Sequence, residues 1–264
     1  MIVRTRRQGW GFAVPAAVAV LGLAVPLAAL VWRALGQDPG YLADPAIASA
    51  IRLSLVTSAI STVLVIMLGT PLAYVLARRN FRGKALVQLV VDLPIVLPPM
   101  VAGIALLMAF GRQGWLGVPL SVLGISLPFS VVAVVIAQSF VAGPFFVRSA
   151  TVGFAAVDRS VREAASVEGA SDLEIFRKLE VPLAARPIAS GIILAWARAV
   201  GEFGATIFFA GNREGVTQTM PLLIFVGFET EIEVAIALSV VLVVMSAAVL
   251  GVLRLLDRPP VENF

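Results

Sequence analysis

Residues 53–77 read LSLVTSAISTVLVIMLGTPLAYVLA, with no Asp, Glu, Lys or Arg in the run. A helix crosses about 30 Å of hydrocarbon with about 20 mainly apolar residues, so this segment can span a bilayer. It is not alone. Gln8–Trp32 precedes it and Leu93–Gly111 follows it, both free of charge, the latter headed by Pro94, Pro98 and Pro99. Gln113–Val147 is also uncharged but too long for one helix. Gly114, Gly117, Pro119, Gly124 and Pro128 break its first half, which leaves a span at about Phe129–Val147. Pro187–Ala210 is apolar except for Arg198 and Glu202, and Val234–Leu253 closes the series. Six spans are the simplest account. Val216–Phe228 is charge-free but short and contains Pro221 and Gly227, so it reads as an external or re-entrant segment.

The composition agrees. Of 264 residues, 59% are hydrophobic and 14% charged, against roughly 25% charged in a soluble domain. A mean hydropathy of +0.98 is more apolar surface than a soluble fold of this size can hide. This excludes a cytosolic enzyme, a disordered chain and a nucleic-acid-binding module. Cysteine and histidine are both absent. Disulfides, thiolate or imidazole metal sites and Ser-His or Cys-His nucleophiles go with them. The basic start, with Arg4, Arg6 and Arg7, resembles a signal peptide. The apolar run behind it exceeds the roughly 7–15 residues of a cleavable core, so a retained first helix is expected.

Sidedness follows from Lys and Arg. Of the 20, 15 fall on one side: Arg4, Arg6, Arg7, Arg78, Arg79, Arg82, Lys84, Arg148, Arg159, Arg162, Arg177, Lys178, Arg186, Arg254 and Arg258. Only Arg33, Arg52, Arg112 and Arg213 fall on the other, and Arg198 lies within a span. The bias predicts both termini in the cytoplasm. The outer side also carries Asp38, Asp44, Glu214, Glu229, Glu231 and Glu233, so it is net negative and offers an anion no funnel.

The longest cytoplasmic segment runs from Arg148 to Arg186. Val157, Val161, Ala164 and Ala165 share a helical face. Gly169 suits a left-handed C-terminal cap, and Ser171-Asp172-Leu173-Glu174 has the capping-box pattern that starts a second helix. Leu173, Phe176 and Leu179 are expected to line one face of it, and Pro182 to end it. By periodicity alone this is equally a solvated helix pair resting on the membrane or a docking element for a cytoplasmic partner.

The string Glu163-Ala164-Ala165-Ser166-Val167-Glu168-Gly169-Ala170-Ser171, followed by Phe176 and Val181-Pro182-Leu183, resembles the EAA loop of binding-protein-dependent ABC importer permeases. Three more stretches resemble the molybdate, tungstate and sulfate branch of that family. They are Leu93 to Gly103 with Phe110 to Gly114, Ala137 to Phe146, and Arg198 to Thr206 with Ala210-Gly211-Asn212. The resemblance covers about Ser54 to Leu256 and favours molybdate/tungstate over sulfate or thiosulfate.

The resemblance implies an all-α polytopic membrane protein of type I ABC importer architecture, six transmembrane helices per subunit. It implies a single permease domain over 1–264, with the coupling loop at 149–186. The subunit would sit in a prokaryotic cytoplasmic membrane as a homodimer above two ATPase subunits that hold ATP and Mg²⁺, with no cofactor in this chain. An extracytoplasmic binding protein would deliver the oxyanion. Glu163, Ala164, Ala165, Gly169, Ala170, Leu173 and Phe176 would form the ATPase-coupling loop. Rivals of another class are a secondary transporter, which often shows inverted repeats and needs coupling-ion groups, and an anion channel, which is expected to carry basic rings. The sequence shows none of these.

Single residues admit plainer readings. Glu163 could simply face Arg159 at i, i+4. Arg198 and Glu202, also i, i+4, must face protein or water because charge in hydrocarbon is costly. A self-neutralising pair is preferred over a free pathway Arg, which would trap an anion. Gly201 and Gly204 allow close helix approach. Pro98 and Pro99 loosen the third span, which places it beside the pathway or a dimer seam. Thr206 and Asn212 are polar candidates for the outer path.

Overall fold

The computed structural model describes residues 10–37, 40 and 44–256. Helix α1 runs Trp10–Leu35 and α2 Pro45–Arg78. They are followed by α3 Lys84–Val96, α4 Pro99–Phe110, the short α5 Gly117–Val122 and α6 Val131–Ala156. The segment between α6 and α10 holds α7 Arg159–Val167, α8 Asp172–Glu174, a π-helical turn Ile175–Glu180 and α9 Val181–Leu183. Then come α10 Ala185–Val200, α11 Gly204–Phe209, α12 Met220–Thr230 and α13 Ile232–Leu256. Among the described residues the secondary structure is helical throughout.

Local chemistry starts the long helices. Asp44 Oδ1 accepts the Ala46 amide at 2.8 Å, and Pro45 occupies the first position of α2, where its missing N–H costs nothing. Ser130 caps α6 by accepting from Ala133. The core is α2 packed along α6, with α10 against both. The buried stripe of α2 is small and polar: Ser54, Thr57, Ser58, Ser61 and Thr62. Small side chains let backbones approach, and their hydroxyls return to carbonyls of their own helix, as Thr62 does to Ser58 at 2.7 Å. Helix α1 packs chiefly on α13, and among the described residues none of its side chains is buried, Trp32 being 81% exposed. Four helices, α1, α2, α6 and α13, are long and apolar enough to cross a membrane unbroken. The chain is a multi-pass membrane protein.

Several expected boundaries move. The third span is two helices, α3 and α4, separated at Leu97 and Pro98. It starts nine residues earlier than the charge-free run because Asp92 lies inside α3, paired with Arg148 of α6 at 3.2 Å. For the same reason α6 continues through Arg148 to Ala156, and the loop expected at 149–186 narrows to about 157–184. Arg52 is likewise inside α2. The fifth span is α10 and α11, interrupted at Gly201–Phe203. The charge-free run 216–228 overlaps α12, which continues to Thr230 and whose eleven residues reach about 16 Å, too short to span. Pro182 stands next to last in the continuous helix Asp172–Leu183, where its ring and missing N–H deny the Lys178 carbonyl an α-helical donor, beside the π turn; the chain goes on one residue further, to Leu183, before it bends. Arg4, Arg6, Arg7, Asp38 and Arg258, which enter the orientation reading, lie outside the described residues.

Candidate functional site

Two regions carry the sequence-derived candidates. The first is at membrane depth, where two interrupted helices meet. Pro98 precedes α4 and Pro99 is its first residue. A Cβ on Gly204, the first residue of α11, would stand 2.6 Å from Pro99 Cβ. One on Gly103 would stand 2.8 Å from the Ala205 carbonyl oxygen. Only glycine permits this approach of α4 to α11. The break before α11 is organised by Glu202, 1% exposed. Its Oε1 accepts the Ala205 amide at 2.8 Å, and Arg198 Nη1 lies 2.7 Å from its Oε2. Arg198 and Glu202 therefore form the ion pair that their spacing suggests.

Thr206 is buried in α11, and its Oγ1 meets no hydrogen-bond partner among the described residues. Asn212 stands past the far end of α11, in a turn fastened by the Arg213 amide to Thr217 Oγ1 at 2.9 Å. The structure thus brings Pro99, Arg198, Glu202 and Thr206 to one break and leaves Asn212 at its outer rim. Irregular backbone at membrane depth is tolerated beside protein or a water-lined path, and interrupted helices are a recurrent feature of transporter pathways.

The second region is the loop between α6 and α10, expected from its Lys and Arg to be cytoplasmic. Asp158 caps α7, accepting the Ser160 amide at 2.9 Å. The amide and hydroxyl of Ser160 hold the Asp158 carboxyl below its ordinary pKa. The helix ends where Gly169 turns left-handed at φ +89°, with Ala170 donating to the Ala165 carbonyl at 3.0 Å and Gly169 to Ser166. The capping box forms: Ser171 N donates to Glu174 Oε2 at 3.2 Å while Glu174 N donates to Ser171 Oγ. Lys178 adds a 2.9 Å bond to Glu174. Lys178 first, then the Ser171 amide and hydroxyl, push the Glu174 carboxyl down to about 2.

The outward face is open. No side chain of α7 is buried, and Glu163, Ala164, Val167 and Leu173 are exposed. No ion pair joins Arg159 to Glu163 among the described residues, so the carboxylate is available to another molecule. A hollow of about 740 Å³ beside it is lined by Arg78, Asp158, Arg159, Arg162, Glu163 and Asp172.

The inward face departs from the α-helical expectation. Leu173 is exposed, whereas Ile175 and Phe176 turn toward the membrane helices. Phe176 meets Tyr74 edge-on at 5.0 Å and Phe154 at 5.9 Å. The physical reason is the π turn, which shifts every residue after Glu174 out of α register. That shift also exposes what the sequence reading missed. Glu180, fully buried, meets Arg78 at 2.7 Å and accepts from Tyr74 Oη at 2.7 Å. The only signal in the sequence was a carboxylate just before Val181-Pro182; its partners lie about a hundred residues earlier.

This geometry has relatives. A family model described as "Binding-protein-dependent transport system inner membrane component" matches residues 69–259. The chain belongs to this permease family. The permease is 43% identical over 242 residues to the "Molybdenum transport system permease protein ModB" of Mycobacterium tuberculosis, covering 90% of this chain and 91% of that one. It is 38% identical to the "Molybdate/tungstate transport system permease protein WtpB" of Pyrococcus furiosus, over 81% and 79% of the two chains. Its fold matches the crystal structure of a bacterial ABC transporter that imports alginate, with a TM-score of 0.72 at 15% identity over 94% of this chain and 96% of that one.

Proposed function

We propose that this permease is the membrane-spanning subunit of an ATP-driven importer of a tetrahedral oxyanion, molybdate or tungstate. The observation that carries the reading is the likeness, over nine-tenths of both chains, to a permease named for molybdenum transport. The chain performs no chemistry of its own. Two copies form the pore, two cytoplasmic ATPase subunits holding ATP and Mg²⁺ grip α7 and α8, and an extracytoplasmic binding protein delivers the anion. Both termini face the cytoplasm, as the Lys/Arg bias requires.

The two regions take complementary roles. Glu163, Ala164, Ala165, Gly169, Ala170 and Leu173 present the docking surface, and Phe176 anchors it from beneath. At membrane depth the Arg198–Glu202 pair leaves no net charge to hold a dianion, so an anion passing the α4–α11 break is not trapped there. Thr206 Oγ1, buried and without a partner among the described residues, would offer the anion a neutral donor once the α4–α11 break opens.

The test is reconstitution. The permease, co-expressed with its ATPase and binding protein and placed in liposomes, should accumulate ⁹⁹Mo-molybdate only with ATP inside, and excess sulfate should compete poorly. Glu163→Lys reverses one exposed interfacial charge, so it should lower ATPase capture and uptake together while the thermal midpoint of the permease stays unchanged. Uptake without ATPase, or normal capture by the Glu163→Lys protein, would overturn the reading.

A further inference from the structure

Among the described residues, one ion pair joins the cytoplasmic loop to a membrane helix: Arg78 Nη2 to Glu180 Oε1 at 2.7 Å. Both side chains are buried, 9% and 0% exposed. Arg78 closes the last turn of α2, and its Nη1 donates to the Val157 carbonyl at 3.1 Å, where α6 ends. Tyr74, one turn earlier, donates to the other oxygen of Glu180. Three elements therefore converge on one carboxylate: the end of α2, the end of α6 and the end of the loop. The remaining ion pairs of the loop, Arg162–Asp172 and Lys178–Glu174, stay within it.

The backbone is bent to make this contact. Ile175 and Glu180 are both buried, five residues apart. In an α-helix five residues turn through about 500°, which sets such a pair about 140° apart on the surface. The i→i+5 bonding of the π turn, with Val181 donating to the Phe176 carbonyl, brings them to the same side. Pro182, next to last in the same helix, denies the Lys178 carbonyl its α-helical donor and so favours a local change of register, but it does not decide which buried group Glu180 meets. Stability alone does not account for the arrangement either, since a buried ion pair gives little net gain over apolar residues of the same volume. Just beyond it the chain bends by 73° into α10, the helix that carries Arg198.

We propose that Tyr74, Arg78 and Glu180 form a clasp that fixes the docking loop to α2 and α6, so that a displacement of the loop by its ATPase moves α2 and α10 instead of hinging at the loop's base. The three are positioning residues for coupling. The inference rests on the reading of α7 and α8 as an ATPase-docking surface. Without the clasp, the loop would still bind the ATPase but would transmit its movement poorly.

The experiment uses the full complex of permease, ATPase and binding protein in proteoliposomes, and measures ⁹⁹Mo-molybdate imported per ATP hydrolysed. Arg78→Met combined with Glu180→Leu removes both charges and leaves neither stranded. This variant should still co-purify with the ATPase, while imported anion per ATP falls about fivefold or more. Tyr74→Phe keeps the ring contacts with Phe154 and Phe176 and removes one hydrogen bond, so its ratio should fall less. Glu180→Asp keeps the charge, withdraws the carboxylate by one methylene and should lie between the two. A merely structural role predicts normal stoichiometry in any variant that folds and binds ATPase. Unchanged anion per ATP in the double variant, or in both Tyr74→Phe and Glu180→Asp should the double variant not fold, overturns the clasp. Failure of the unmodified permease to capture ATPase overturns instead the docking reading beneath it.

Discussion

The α7–α9 loop, proposed to dock the ATPase, and the α4–α11 break are both interruptions of helix, yet they are held by different physics. Over α7 and α8 the turns of the loop are fastened by residues a few positions away: Asp158 to Ser160, Ala170 to Ala165, Ser171 to Glu174. At the break, Pro99 and Gly204 make the contact from positions about a hundred residues apart. Helix α7 presents Glu163 to solvent, whereas the break buries Glu202 and pairs it with Arg198. Local fastening keeps a surface ordered while leaving its face free for a partner. Distant fastening makes α4 and α11 interdependent.

The contrast should be sharpest for charge removal. Glu202→Ala strands the Arg198 guanidinium and the Ala205 amide together, and should destabilise the permease by about 3–5 kcal/mol. Arg198→Leu with Glu202→Gln removes both charges and keeps an acceptor for Ala205, and so should recover most of the folded yield in detergent. Losses that simply add, without recovery, would show that the pair is not a unit.

A second comparison applies one substitution to both regions. Gly204→Ala places a methyl group against Pro99 and should cost about 1–3 kcal/mol by crowding, read as a lowered thermal midpoint. At Gly169 an added Cβ meets nothing within 4 Å, but φ is +89°. Gly169→Ala should therefore cost about 1–2 kcal/mol of backbone strain confined to the loop. ATPase capture should fall while the thermal midpoint of the membrane core holds. A lowered midpoint at 169 and none at 204 would reverse the assignment of local and distant fastening.

The smallest effect concerns acid. Because the Glu174 carboxyl is depressed from an ordinary value of 4.5 to about 2, its contribution to the capping box is fully present above pH 4.5. It should fade as the pH falls toward 2. Infrared titration with ¹³C-labelled glutamate, comparing the permease with Glu174→Gln, should show one carboxylate missing from the low-pH population. A Glu174 that titrates at the usual glutamate pH would remove Lys178 and Ser171 as its partners.

Much of this molecule is legible before it folds. The charge-free runs mark where α1, α2, α6 and α13 cross, because hydrocarbon penalises charge wherever it falls in the chain. The cap at Gly169 and the box at Ser171–Glu174 are readable because the groups they satisfy are immediate neighbours. Arg198 and Glu202 are readable as a pair because they stand one turn apart. Tertiary structure alone decided the rest. Asp92 could enter α3, and Arg148 could stay within α6, because each neutralises the other across two helices. The π turn that aims Glu180 at Arg78 has one local mark, Pro182, which cannot donate to the Lys178 carbonyl, but the partners Tyr74 and Arg78 lie on another helix. Where a group is satisfied within a few residues, the sequence determines the structure. Where satisfaction comes from another helix, only the fold can place it.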